Sequence, residues 1–147
     1  MIRKLLRRVF RRGDPSAPSA PSMIPMARHG IRREHVSLGA RRTCETLQQA
    51  GHKAYIVGGA VRDLIAGIDP KDYDIATDAT PEQVRALFRR ARIIGRRFQI
   101  VHVMQGGETL EVSTFRAAHD ADTVKDVHGR VLRDNVFGSI AEDAARR

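Results

Sequence analysis

Between Tyr55 and Ile75 the chain reads Tyr-Ile-Val-Gly-Gly-Ala-Val-Arg-Asp-Leu-Ile-Ala-Gly-Ile-Asp-Pro-Lys-Asp-Tyr-Asp-Ile, and few backbone arrangements accommodate that order. The apolar run Tyr55-Ile56-Val57 is too short for a helix and stops at glycine, so it reads as a buried strand. Gly58-Gly59 lets the backbone approach another group closely, and Ala60 to Ala66 fits a turn or two of helix. Asp69-Pro70-Lys71 makes a turn, after which Asp72-Tyr73-Asp74-Ile75 resumes as a strand. Side chains alternate across a strand, so Asp72 and Asp74 point one way while Tyr73 and Ile75 face the core.

Two carboxylates on one strand face repel each other, and aspartate is a poor strand former. A hard cation removes that penalty, since Mg²⁺ is held by one or two carboxylates together with phosphates and water. The glycine pair and the helix start after it supply backbone N–H groups suited to phosphate, and Arg62 adds a fixed positive charge. A metal, a phosphate cradle and an arginine together describe nucleotidyl transfer with two cations clamping the attacking and leaving oxygens. The competing view is a pair of solvated aspartates on an edge strand beside an ordinary glycine turn.

The rest of the chain fills out an α+β domain. Ser37 caps a helix running to about Ala50, with Leu38, Cys44 and Leu47 inward and Gly51 as its stop. Thr80-Pro81-Glu82-Gln83 opens a second helix, with a capping box between Thr80 and Gln83. This helix is expected to bury Val84, Leu87, Phe88 and Ala91 and to end in Arg89, Arg90 and Arg92. Ile93-Ile94 reads as a short strand, Phe98 to Met104 as a longer one, and Gly106-Gly107 as a hairpin turn into Thr109–Arg116. Period two in that last strand puts Leu110 and Val112 on one face, Glu111 and Ser113 on the other. Glu111 is then either a third carboxylate, as a metal ligand or base, or an exposed strand glutamate. His102 reads as a structural histidine. Ala117 to Asn135 is expected to be a mobile loop, and Ser139 to cap a last helix from Ile140 to Arg147.

The net charge of +9 is unevenly placed. Residues 1–42 hold eleven Lys/Arg against Asp14 and Glu34, whereas residues 43–147 hold fifteen of each sign. The excess points to a polyanionic partner. Residues 1–27 form a basic, Pro/Ser/Ala-rich tail expected to be disordered, whose first twelve residues either contact RNA or a membrane surface or remain solvated. No apolar run is long enough to span a bilayer, and the single cysteine, Cys44, excludes an internal disulfide.

Gly58-Gly59-Ala60-Val61-Arg62-Asp63, followed by Asp72-Tyr73-Asp74, resembles the head-domain signature of the class II tRNA nucleotidyltransferase and bacterial poly(A) polymerase family, within the DNA polymerase β superfamily. The resemblance runs from about Arg28 to Arg147 and implies a nucleotidyltransferase head over residues 28–147, a small mixed sheet with helices on one face. It implies transfer of AMP from ATP to an RNA 3′ end, with Asp72 and Asp74 holding two Mg²⁺ ions. Gly58, Gly59 and Arg62 would cradle the triphosphate; Arg116 joins this nucleotide-binding set, as does Asp63 by bracing the glycine turn. Arg96 and Arg97, in a turn similar to the family's Gly-x-x-Phe, either meet triphosphate or RNA or form a solvated basic turn. Arg28-His29-Gly30-Ile31 and Leu132 to Gly138 resemble the poly(A) polymerase branch more than the CCA-adding branch. In the family an Arg-Arg like Arg146-Arg147 leads into a nucleotide-binding Asp-Phe-Thr and then neck, body and RNA-binding domains. The expectation is therefore a cytoplasmic head domain that is inactive alone, with a CCA-adding head and a non-catalytic RNA-binding fragment as alternatives.

Overall fold

The computed structural model describes residues 21–116, 124–125, 131–133 and 138–146. After a helical turn at Met26–His29 come helix α1 (Leu38–Gln49), strand β1 (Ala54–Val57), helix α2 (Gly59–Ile65) and strand β2 (Asp74–Thr77). Helix α3 (Pro81–Leu87), strands β3 (Ala91–Ile94), β4 (Ile100–Gln105) and β5 (Glu108–Thr114), and helix α4 (Ile140–Arg146) follow. Five strands form one mixed sheet in the order β1-β2-β5-β4-β3, in which only the β2–β5 pair is parallel. This is the α+β architecture that the sequence implies.

The core lies between one sheet face and helices α1 and α3. Ile75, Val101, Val103, Leu110 and Val112 from the strands pack with Ala40 and Leu47 of α1 and with Val84 and Phe88. Helix α1 starts where Ser37 accepts a hydrogen bond from the Ala40 amide, and Gly51 follows its end with a φ of 89°. Leu38 departs from expectation: it is 51% exposed, and Gly39, Ala40, Thr43 and Leu47 form the inward stripe. The Thr80–Gln83 capping box is present with Pro81 in the first turn.

Helix α3 stops at Leu87, earlier than the sequence reading had it. Phe88 is already extended, so Arg89 and Arg90 lie beyond the helix and Arg92 lies within β3. Pairing of Ala91 with Val103 on β4 takes the chain into the sheet, and ladder bonds outweigh a further turn of helix. Leu87 is left 36% exposed in consequence. Much of the expected 117–135 loop lies outside the described residues, but Val124–Lys125 and Val131–Arg133 pair as a two-stranded antiparallel ribbon, which the loop reading did not foresee. Ser139 caps α4 through the Glu142 amide, as expected. No helix among the described residues is long and apolar enough to cross a membrane.

Cys44 is half-buried on α1 against the core, and burial pushes its thiol up to about 11 from 9.0. Thiolate is the reactive form, so this cysteine is protected at neutral pH. A disulfide reagent at pH 8 is expected to label the folded chain slowly and the guanidinium-unfolded chain at once. Equal rates in the two states would contradict the packing of α1.

Candidate active site

Tyr73 separates the two aspartates and is 5% exposed. Its hydroxyl accepts a hydrogen bond from the Ser37 amide (3.2 Å) and donates to the His35 carbonyl (3.4 Å), while its own carbonyl accepts from the Glu111 amide (3.2 Å). A side chain pinned inward at this position turns both neighbours outward. Asp72 is exposed in the bend ahead of β2, and Asp74 is half-buried as the strand's first residue. The strand thus begins two residues later than the sequence implies, yet the two carboxylates still open onto one cavity.

That cavity, of about 350 Å³, is lined by Gly59, Ala60, Arg62, Asp63, Ile68, Asp69, Lys71, Asp72 and Asp74. Gly58 adopts φ 74°, ψ −148°, a region open only to glycine, and a β-carbon there would stand 3.0 Å from Asp74 Oδ2. The Asp74 carboxylate therefore rests against the Gly58 backbone. Helix α2 has only seven residues, so positive charge at the cavity comes chiefly from Arg62 and Lys71. Lys71 was missed as a site residue because the Asp-Pro-Lys sequence reads first as a turn. Asp63 Oδ1 accepts from both Nε and a terminal nitrogen of Arg62 at 3.2 Å, so it braces the arginine rather than the glycine turn.

Among the described residues, Asp72, Asp74 and Glu111 have no hydrogen-bond or ion-pair partner. Two unpaired carboxylates facing one cavity fit a hard divalent cation that draws its remaining ligands from water and phosphate. Among the described residues no group of three His, Cys, Asp or Glu could hold an ion without such help. Glu111 is the direct β5 partner of Asp74, on the same sheet face one strand spacing away (~4.8 Å), but it does not line the cavity.

The remaining expected site residues lie elsewhere. Arg116 is held by the buried Asp143 (Nε to Oδ1, 3.4 Å) and stacks over Phe98 at 4.8 Å, which commits its guanidinium away from the cavity. Arg96 and Arg97 are exposed in the bend between β3 and β4, where Gly95 packs against the Phe98 carbonyl.

The family model for the poly(A) polymerase head domain matches residues 54–147. The chain belongs to the poly(A) polymerase head-domain family. It is 45% identical to poly(A) polymerase I of Salmonella typhimurium over 99% of its own length and 34% of that protein's. It is 43% identical to a CCA-adding enzyme of Bacillus cereus over 70% of the chain and 25% of the enzyme. The crystal structure of the Bacillus stearothermophilus CCA-adding enzyme in complex with CTP superposes with a TM-score of 0.56, at 38% identity, covering 74% of this chain and 24% of that one. The sheet described above is thus that of a nucleotidyltransferase head, and the chain spans about a third of the length of the poly(A) polymerases it matches.

Gly58→Ala is expected to cost about 1–3 kcal/mol from backbone strain and to displace the Asp74 carboxylate. Thermal unfolding would register the first effect and titration with Mn²⁺ the second. An unchanged melting temperature would contradict the conformation assigned to Gly58.

Proposed function

We propose that this head domain carries the reaction centre for template-independent transfer of AMP from ATP to an RNA 3′ end. The observation that carries this reading is the sharing of one cavity by the unpartnered Asp72 and Asp74 with Gly59, Arg62 and Lys71. Two Mg²⁺ ions held by Asp72 and Asp74 would supply positive charge to the α-phosphate and to the attacking and leaving oxygens. Arg62 and Lys71 offset the charge of the triphosphate, and Gly58 and Gly59 admit it close to the backbone. The RNA 3′-hydroxyl oxygen forms the new bond to the α-phosphorus, and the bond to the bridging oxygen breaks to release pyrophosphate. Glu111, one strand across from Asp74, takes the hydroxyl proton. No protein nucleophile is required.

Among the described residues no aromatic side chain lines the cavity to stack on a base, so we expect the 147 residues alone to add little nucleotide. The breadth of the match favours poly(A) addition, since poly(A) polymerase I aligns with 99% of the chain and the CCA-adding enzyme with 70%. CCA addition is the second reading, favoured by the likeness to a solved CCA-adding enzyme. Offering a protein that contains this chain either generic RNA or tRNA lacking its terminal CCA separates the two.

In such a protein Asp74→Ala is expected to lower AMP incorporation from labelled ATP by at least roughly a hundredfold, with unchanged circular dichroism. Activity within about threefold of the unsubstituted protein would sink the two-metal reading.

A further inference from the structure

A second groove, of about 410 Å³, opens outside the cavity that holds the two aspartates. Its lining includes Arg89, Arg90, Arg92, His102, Met104 and Thr109. Strand register relates it to the reaction centre: Asp74 pairs with Glu111, Glu111 with His102, and His102 with Arg92. Direct partners on neighbouring strands project to the same face. These four residues therefore form one row across the open face of the sheet, acidic on β2 and β5 and cationic on the edge strand β3. A parallel row runs from Thr109 through Met104, whose amide donates to the Arg90 carbonyl.

Arg89, Arg90 and Arg92 are all exposed, and none has an acidic partner among the described residues. Three unneutralised guanidinium groups beside a floor of Ile94 (40% exposed) and Met104 (41% exposed) suit a ligand that is anionic along one edge and flat and apolar along the other. A single nucleic acid strand has that character. A membrane surface or an acidic protein would be repelled where the row ends in Glu111 and Asp74, whereas an RNA 3′ end brings an uncharged hydroxyl to that end.

We infer that this row is the path of the RNA primer, with its 3′-terminal nucleotide over Glu111 and Asp74 and its upstream phosphates on Arg92 and Arg90. His102 and Met104 support a base between them. The polarity of the strand rests on the reaction proposed above, while the groove itself is a separate surface. Three strand spacings separate β2 from β3, or ~14 Å. At the stacked rise of ~3.4 Å per nucleotide this is about four nucleotides, and fewer when the strand is unstacked.

The test uses the 147-residue chain and fluorescein-labelled oligo(A) of about twelve nucleotides, read by anisotropy at ~0.1 M salt. Arg90→Glu with Arg92→Glu is expected to weaken binding by roughly tenfold or more and to reduce the salt slope by about two. Arg42→Glu, an equal change per site at an exposed position of α1, should cost less than about twofold. A photoreactive base about four positions from the 3′ end should cross-link to the peptide that carries Arg92, and one about ten positions away should not. Equal losses at Arg42 and Arg92, or indifference to both, overturn the path, as does cross-linking that ignores position. The Asp74→Ala assay in a protein that contains this chain separates the two proposals. RNA binding through the arginines with AMP incorporation unaffected by Asp74→Ala removes the reaction and leaves the groove. Incorporation lost on Asp74→Ala with an RNA affinity that ignores the arginines removes the groove alone.

Discussion

The burial of one tyrosine between two aspartates is the constraint on which the site depends. Tyr73 could satisfy its hydroxyl in water, but its ring belongs to the core, and the Ser37 amide and His35 carbonyl meet the hydroxyl there. A buried phenol without partners would be costly, so this anchorage fixes the side chain's direction. The Tyr73 carbonyl bonds to the Glu111 amide, which fixes the register of β5 against β2 as well. One residue with no evident chemistry thus orients Asp72 and Asp74 and brings Glu111 alongside.

The same arrangement works against stability. Asp74 opens a strand, faces another acid and abuts a glycine in a conformation that other residues avoid. Such groups are tolerated because the opposite sheet face is firmly packed: Ile75 and Val112, next to Asp74 and Glu111, are at most 1% exposed. The two faces divide the labour, one supplying packing energy and the other holding carboxylates that have no partner among the described residues.

Much of this is legible in the amino-acid sequence. Period-two patterning identified Tyr73, Ile75, Leu110 and Val112 as core, and glycine chemistry marked Gly58 as a close approach; both follow from local rules that tertiary context rarely reverses. The Thr80–Gln83 box and the Ser37 cap were equally local. Helix α3 ended sooner than its periodicity suggested because β3 is captured by β4, a long-range effect that sequence spacing does not carry. Lys71 escaped notice because its neighbours signalled a turn, and the bracing of Arg116 by Asp143 joins segments far apart in the chain. The transverse row from Asp74 to Arg92 was invisible for the same reason, since it exists only once four strands are in register.

The one parallel pairing in the sheet has a bearing on how the domain comes into being. β4 and β5 are joined by a two-glycine turn, so they can zip together within microseconds of emerging. β2 can pair at once with β1, which precedes it, but its parallel partner lies beyond a helix and two further strands, and closing that loop sacrifices chain entropy before any contact returns it. During synthesis on the ribosome the β5-facing edge of the acidic strand is therefore the later of its two edges to be matched. Bringing Glu111 beside Asp74 coincides with the docking of a preformed hairpin.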